Sequence, residues 1–301
     1  MTRSVLRVVS LLLPLAVLSA GATTARPGQS AGGTGVARRL YVSVTDRSGK
    51  PVVDMTSAEF EVKEGGKIQT ADARLSTTPL RIALIVSDLG TGAFQGGALR
   101  FCDVLLGQAD IGIMSLIVQP EIVAPYSNDP AVIRRGLQLL GRRGALASEG
   151  AQLIEAIFET SKVIRREGTR PAIVIIRAGR EATSAIRFDQ VRDALRQSGA
   201  VMYVVSTART DTALDAGGMG TSDMMTTLSI LGDGSRESGG RQIQVLGTRL
   251  APTMEQIALE LANQYEITYT LPNGVKPSDS VSVSVKRKNV TLRAPTRIPN
   301  E

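Results

Sequence analysis

An α/β fold is predicted, with a largely parallel sheet covered by helices and a small antiparallel β module drawn from both ends of the chain. Three observations predict it. Leu80 to Val86 is an almost unbroken apolar run ending in the polar, glycine-rich turn Ser87 to Gly92, which suits a strand buried on both faces. Two more apolar runs, Ala172 to Ile176 and Val201 to Val205, alternate with amphipathic segments, the order of a parallel sheet. Alternating patterns at Leu40 to Val44, Phe60 to Glu64, Tyr265 to Leu271, Ser280 to Lys286 and Val290 to Ala294 read as antiparallel strands.

The elements follow in order. Met1 to Ala22 has a positive start at Arg3 and Arg7, an apolar run from Val8 to Leu18 and the small residues Ala20-Gly21-Ala22. This is a secretory signal, with cleavage expected after Ala22. Residues 23–37 are rich in Gly, Ser, Thr and Ala without periodicity and read as a disordered linker. Residues 38–77 form the N-terminal β segment, where Leu40 to Val44 is expected to be half-exposed and Lys67 to Leu75 to be one strand. Residues 78–264 form the α/β domain. Leu99, Cys102 and Leu106 fall on one face of a helix starting near Gly96, and Ile111 to Val118 is the next strand. Asp129-Pro130 is an N-cap followed by proline at the first helical position, and Gly141 closes that helix. Ala151 to Arg166 and Phe188 to Ser198 are helical, the second stopped by Gly199. Two Gly-rich stretches, residues 210–222 and 232–240, read as loops around a short helix from Met224 to Leu231. A last helix carries Met254, Ile257, Ala258 and Leu261. Residues 265–297 supply strands expected to pack on the N-terminal β segment.

Composition excludes several chemistries. The 301-residue chain has no His, so Ser-His-Asp triads and histidine-ligated zinc are absent. Its one cysteine, Cys102, rules out an internal disulfide or a cysteine metal cluster. Aromatics are 3% and Trp is missing, against a base-stacking single-strand binder. The net charge of +7 becomes +5 once the two arginines of the signal are removed (7 − 2). Arg134-Arg135, Arg142-Arg143, Arg165-Arg166 and Lys286-Arg287-Lys288 are interspersed with acids and read as solvated charge, so no nucleic-acid partner is expected. Gly90-Thr91-Gly92 with Gly96 mimics a dinucleotide loop, but its Gly-x-Gly-x-x-x-Gly spacing departs from the fingerprint. Glu121 is placed in the loop after the second strand of the α/β domain. No Gly-x-Ser-x-Gly elbow occurs.

Four stretches, in order, carry a resemblance. They are Val42-Ser43-Val44-Thr45-Asp46 through Ala58-Glu59-Phe60-Glu61-Val62-Lys63-Glu64-Gly65-Gly66; Ile82 to Val86 with its turn; Ala172 to Ile176 followed by Gly179; and Ile257-Ala258-Leu259-Glu260-Leu261 with Gln264-Tyr265-Glu266-Ile267-Thr268-Tyr269. Together they span nearly all of the mature chain, and the sequence resembles the von Willebrand factor A-like proteins of the secreted, acidobacterial VWFA-related type. That resemblance implies a Rossmann-like, doubly wound sheet with helices on both faces. It also implies a metal-ion-dependent adhesion site, in which Asp-x-Ser-x-Ser, a Thr and a further Asp hold a hard divalent cation by oxygen ligands.

Against that pattern the chain is degenerate. Reading without a gap puts Ser87, Leu89 and Thr91 at the first three ligand positions; shifting by one gives Asp88, Gly90 and Gly92. The Thr position falls on Ala151, and the final Asp position falls on Arg177 or Ala178. No metal and no other cofactor is therefore expected. Asp88 is the remaining anion, and a guanidinium from Arg177 or Arg180 is expected to pair with it in place of the metal. Asp88, Thr91, Arg177 and Arg180 are the candidate partner-binding rim. The function expected is a non-enzymatic, secreted or periplasmic module that binds a protein partner, with no membrane span after signal cleavage. The competing readings are a divalent-metal-dependent adhesion module and a hydrolase or nucleotide-binding enzyme with an unfamiliar site.

Overall fold

The computed structural model describes residues 35–88, 90–117, 119–141, 152–178, 184–207 and 227–299. The signal segment, most of the linker and the loop 210–222 lie outside these residues.

The elements are β1 (Val36–Asp46), β2 (Phe60–Glu64), β3 (Lys67–Gln69), β4 (Ala71–Leu75), β5 (Leu80–Ser87), α1 (Gln95–Leu105), β6 (Ala109–Leu116), β7 (Pro120–Ser127), α2 (Pro130–Leu139), α3 (Leu153–Val163), β8 (Arg170–Arg177), α4 (Phe188–Ser198), β9 (Val201–Thr207), β10 (Arg241–Val245), α5 (Leu250–Ala262), β11 (Tyr265–Leu271), β12 (Val281–Val285) and β13 (Val290–Arg293). A six-stranded sheet has the order β10-β9-β8-β5-β6-β7. All its neighbours are parallel except the β6–β7 pair.

Period-2 alternation sorts the central strands between two cores. Leu80, Ile82, Leu84 and Val86 of β5 join Phe101 and Cys102 of α1, Ile133 and Leu137 of α2, and Met254, Ile257 and Leu261 of α5. Ala83 and Ile85 face the other way, onto Ile154 and Ile157 of α3, Val191 and Leu195 of α4, and Ile230 and Leu231. With helices on both faces, the middles of the central strands are near-continuous apolar runs, and polar residues such as Ser87, Arg170 and Arg177 fall at the strand ends. The doubly wound α/β architecture is thus observed.

The terminal strands pair with each other in two antiparallel sheets. One has the order β13-β1-β11-β4 and the other β12-β2-β3. Their shared core includes Leu40, Val42, Val44, Phe60, Val62, Tyr265, Ile267, Tyr269 and Ile298.

Several expectations are corrected. β1 begins at Val36, so it takes in Val36 and Ala37 from the linker. It is not half-exposed along its length, because Val42, Ser43, Val44 and Thr45 are all buried in a strand flanked by β11 and β13. Lys67 to Leu75 is two strands, since the chain leaves β2 after β3 and joins β11 through β4. On α1 the buried face is Ala98, Phe101, Cys102 and Leu105, whereas Leu99 is 41% exposed. Glu121 sits in β7, an edge strand missed because Pro120 and Pro125 interrupt its pattern. The stretch 232–240 is no loop: a π-turn at Ile230–Gly234 runs into the helical turn Ser235–Glu237. Gly239 and Gly240 are required by packing, for a Cβ at Gly239 would lie 2.7 Å from Pro295 N and one at Gly240 2.0 Å from the Met202 carbonyl oxygen. That contact brings in β10, the second missed edge strand.

Candidate functional site

The chain leaves β5 for β6 on one side and later returns to β8 on the other. The crevice beyond the carboxyl ends of β5 and β8 is therefore the topological switch point, where open α/β sheets gather ligands. Register pairs Ser87 with Arg177, and Arg177 with Ser206. All three continue the face of Ile85, Ile175 and Val204, the side of α3 and α4. Arg177 is 9% exposed, and its Nη1 donates to Ser206 Oγ at 3.2 Å.

Asp88, one residue on, belongs to the opposite face, above α1. Only 2% exposed, it clamps the turn that follows. Its Oδ1 accepts from Gly90 N at 3.0 Å and its Oδ2 from Gly92 N at 2.7 Å. Its carbonyl accepts from Thr91 Oγ1 at 2.9 Å, and Thr91 Oγ1 in turn accepts from Ala93 N at 3.2 Å. Gly90 and Gly92 have φ of 76° and 75°, left-handed values at which glycine escapes the Cβ penalty. Gln95 Nε2 then ties the start of α1 to α2 by donating to the Leu137 carbonyl at 2.8 Å. The loop after α2 presses on this turn, since a Cβ at Gly141 would lie 2.2 Å from Gly92 Cα.

This geometry decides which ligand reading is spatially consistent. Asp88 and Ala178 share the α1 face, Ala178 packing beside the core of that side; Ser87 and Arg177 share the other. Neither set holds a cation. Each Asp88 oxygen accepts from one backbone N–H of the turn, Gly90 and Gly92 carry no side-chain ligand atoms, Ala178 is apolar, and the Thr91 hydroxyl is engaged within the turn. Among the described residues no group of three or more His, Cys, Asp or Glu is placed to hold a metal ion. Those residues do not fit a divalent cation.

The expected pair with Asp88 is corrected for Arg177, while its alternative with Arg180 falls outside the described residues. Asp88 and Arg177 form no salt bridge, because one-residue parity sends their side chains to opposite faces of the sheet. Asp88 instead accepts from the N–H groups of its own turn. Ala151 and Arg180 lie outside the described residues, as does Leu89.

Sequence reasoning missed a set of buried charges. Glu260 of α5 is fully enclosed and accepts from Tyr203 Oη at 2.8 Å, Arg241 Nη2 at 3.3 Å and the Arg293 guanidinium. Glu64 accepts from Arg38 Nε at 3.3 Å, Ser278 N at 2.8 Å and the Tyr269 hydroxyl. Burial and the adjacent carboxylate push both tyrosine hydroxyls above their usual pKa. A signal existed: Glu64 shares its strand face with Phe60 and Val62, and Glu260 is flanked by Ile257 and Leu261. Arg170, at the start of β8, donates to the carbonyls of Thr78 and Leu261, each at 2.9 Å, and to Gln264 Oε1 at 3.0 Å. Burial lowers its pKa to about 10. The Glu260 and Arg170 groups join the α/β core to the β module, whereas the Glu64 group ties together the two sheets of the β module.

No protein-family model and no curated protein matches the chain. Similar solved structures include proximal thread matrix protein 1 from the mussel byssus, at TM-score 0.45 and 9% identity over 62% of this chain and 48% of that one. They also include the vWF domain of the type V pili tip protein Mfa5 from Porphyromonas gingivalis, at TM-score 0.43 and 9% identity over 62% and 96%. A third is the SpRpn10 VWA domain, at TM-score 0.41 and 11% identity over 58% and 93%. The chain thus spans about half the length of the mussel protein (48%). In the described residues no helix is long and apolar enough to cross a membrane.

Proposed function

We propose that the chain is an exported, non-enzymatic interaction module of the von Willebrand factor A-like type. It binds a protein partner at the rim beyond the carboxyl ends of β5 and β8, without a metal. One observation carries the metal-free reading: the Asp88 carboxylate is engaged by Gly90 N and Gly92 N of its own turn, and among the described residues no group of three or more His, Cys, Asp or Glu could complete a cation site around it. Exposed Thr91 stands on the turn so fixed. The signal-like N-terminus supports export, and the absence of His supports a role without acid–base catalysis by imidazole.

Two measurements test it. Calorimetry with Mg²⁺ and Mn²⁺ is expected to give no saturable heat; saturable micromolar binding abolished by Asp88→Ala would establish the metal-dependent alternative instead. Capture from a cell-envelope extract is expected to enrich a protein with the native chain and to lose it with Thr91→Arg. Equal capture by both would remove the rim from the interface.

A further inference from the structure

The two edges of the six-stranded sheet are built differently. β7 carries Pro120 and Pro125 and pairs with β6 through register shifts. Prolines and bulges are devices that blunt an edge against further pairing. β10, Arg241-Gln242-Ile243-Gln244-Val245, has neither device. It pairs with β9 in continuous register over its whole length. Among the described residues, no backbone hydrogen bond reaches its outer side. Its outward row of N–H and C=O groups is a template for another strand.

The strand is also self-complementary. Antiparallel pairing with a copy of itself about a twofold axis at Ile243 sets Ile243 against Ile243, Gln242 against Gln244 and Arg241 against Val245. Like charges do not meet in this register. Gln242 and Gln244 are exposed on one face, where directly opposed side-chain amides can hydrogen-bond. On the other face Ile243 and Val245 are half-buried at the open margin of the α1–α2–α5 core. A second strand laid alongside completes their burial, and Leu246, 65% exposed, adds apolar surface at its end.

We propose that β10 is a self-association edge, joining two copies of this chain through an isologous, antiparallel β10–β10 pair into one continuous sheet. The inference is independent of the rim reading, because it uses the lateral edge of the sheet and none of Ser87, Asp88, Thr91 or Arg177. Two five-residue strands bury less than the roughly 1,000 Å² of a stable interface, so the association is weak and concentration-dependent.

Analytical ultracentrifugation of the purified protein tests this over a wide concentration range. The native chain is expected to move from one-chain to two-chain mass with rising concentration. The double variant Gln242→Lys with Gln244→Lys sets like charges opposite across the twofold and should stay at one-chain mass throughout. Gln242→Lys with Gln244→Glu sets opposite charges in the same rows and should restore or strengthen the dimer, most visibly at low salt. Both changes lie at exposed positions, and circular dichroism confirms that each variant is folded. A native chain that stays monomeric overturns the proposal, as does a dimer that responds equally to both double variants. The second result would put the contact elsewhere, and a monomer that instead gains mass with an added extended peptide would assign the edge to a different partner.

Discussion

Removing the Asp88 carboxylate separates the two accounts of this site. In the structure Asp88 is a buried clamp holding Gly90 N and Gly92 N at 3.0 and 2.7 Å. Hydrogen bonds to a charged acceptor contribute about 1.5–3 kcal/mol each. Gly92 N is only partly buried and can recover water, so the two together amount to ~3 kcal/mol for Asp88→Ala. For domains of this size that is a fall in Tm of about 6–10 °C. Asp88→Asn keeps one acceptor but turns an amide donor toward the other N–H, and should cost about 1–2 kcal/mol. The assay is chemical denaturation with and without a chelator, followed by thermal melts. A metal site predicts the opposite pattern. A carboxylate reserved for a cation is a liability without it, so Asp88→Ala would leave the chelated protein unchanged or more stable, and only the metal-supplemented native protein would gain. An unchanged midpoint for Asp88→Ala in chelator refutes the clamp.

Other expectations follow from the same coordinates. Gly141→Ala combines a φ of 74° with a Cβ 2.2 Å from Gly92 Cα and should cost well over ~2 kcal/mol, whereas Gly168→Ala, at φ 71° with open space around it, should cost only the left-handed penalty of about 1–2 kcal/mol; equal midpoints in urea would contradict the close contact. Cys102 is fully buried, and burial pushes its thiol from 9.0 up to about 12, so a thiol reagent should label it only after unfolding. Because the folded value is the higher one, the stability linked to this thiol is complete below pH 9 and is lost as pH rises towards 12; a denaturation midpoint independent of pH in that window would argue against it. Glu260→Ala strands Arg241, Arg293 and the Tyr203 hydroxyl around an empty acceptor and should cost about 3–5 kcal/mol, with Glu260→Gln milder; a neutral result by calorimetric melting would show that the cluster is solvated.

The parts legible in the sequence are those where local signals and burial agree. Asp129 does cap α2, its side chain accepting from Ala131 N at 2.8 Å, and Gly199 stops α4 at φ 65°. The centres of β5, β8 and β9 (Ile82 to Val86, Ala172 to Ile176 and Val201 to Val205) are near-continuous apolar runs because both faces are covered, so periodicity is not needed to find them. Edge strands lack that pressure. β7 contains two prolines and β10 two exposed glutamines, and both resemble loops by composition. The glycines between 232 and 240 suggested flexibility, yet Gly234 is small because a Cβ there would lie 3.2 Å from both Leu195 and Met202. At the switch point the sequence places Ser87 and Asp88 at the end of β5 but does not report their partners. Ser87 and Asp88 differ by one position, which in a strand is the whole thickness of the sheet. Choosing between them required the β5–β8 register, which no local pattern reports.

The buried polar groups hold the two modules together at the end of the sheet away from the rim. The β module meets the α/β core at the amino ends of β5 and β8. There Arg170 N donates to the Pro79 carbonyl at 2.8 Å, and the Arg170 guanidinium spans Thr78, Leu261 and Gln264. Gln264 Nε2 passes the connection to Ser43 Oγ of β1 at 3.3 Å, and Thr78 Oγ1 donates to Glu266 of β11 at 3.0 Å. Each of these groups is desolvated, so each depends on its neighbours being in place. A cation bound across loops would supply cohesion at the carboxyl ends. Here that cohesion comes from the opposite end of the sheet and from the Asp88 turn. The strands are therefore expected to hold without a cation, and a chelator should leave the melting midpoint of the native chain unchanged.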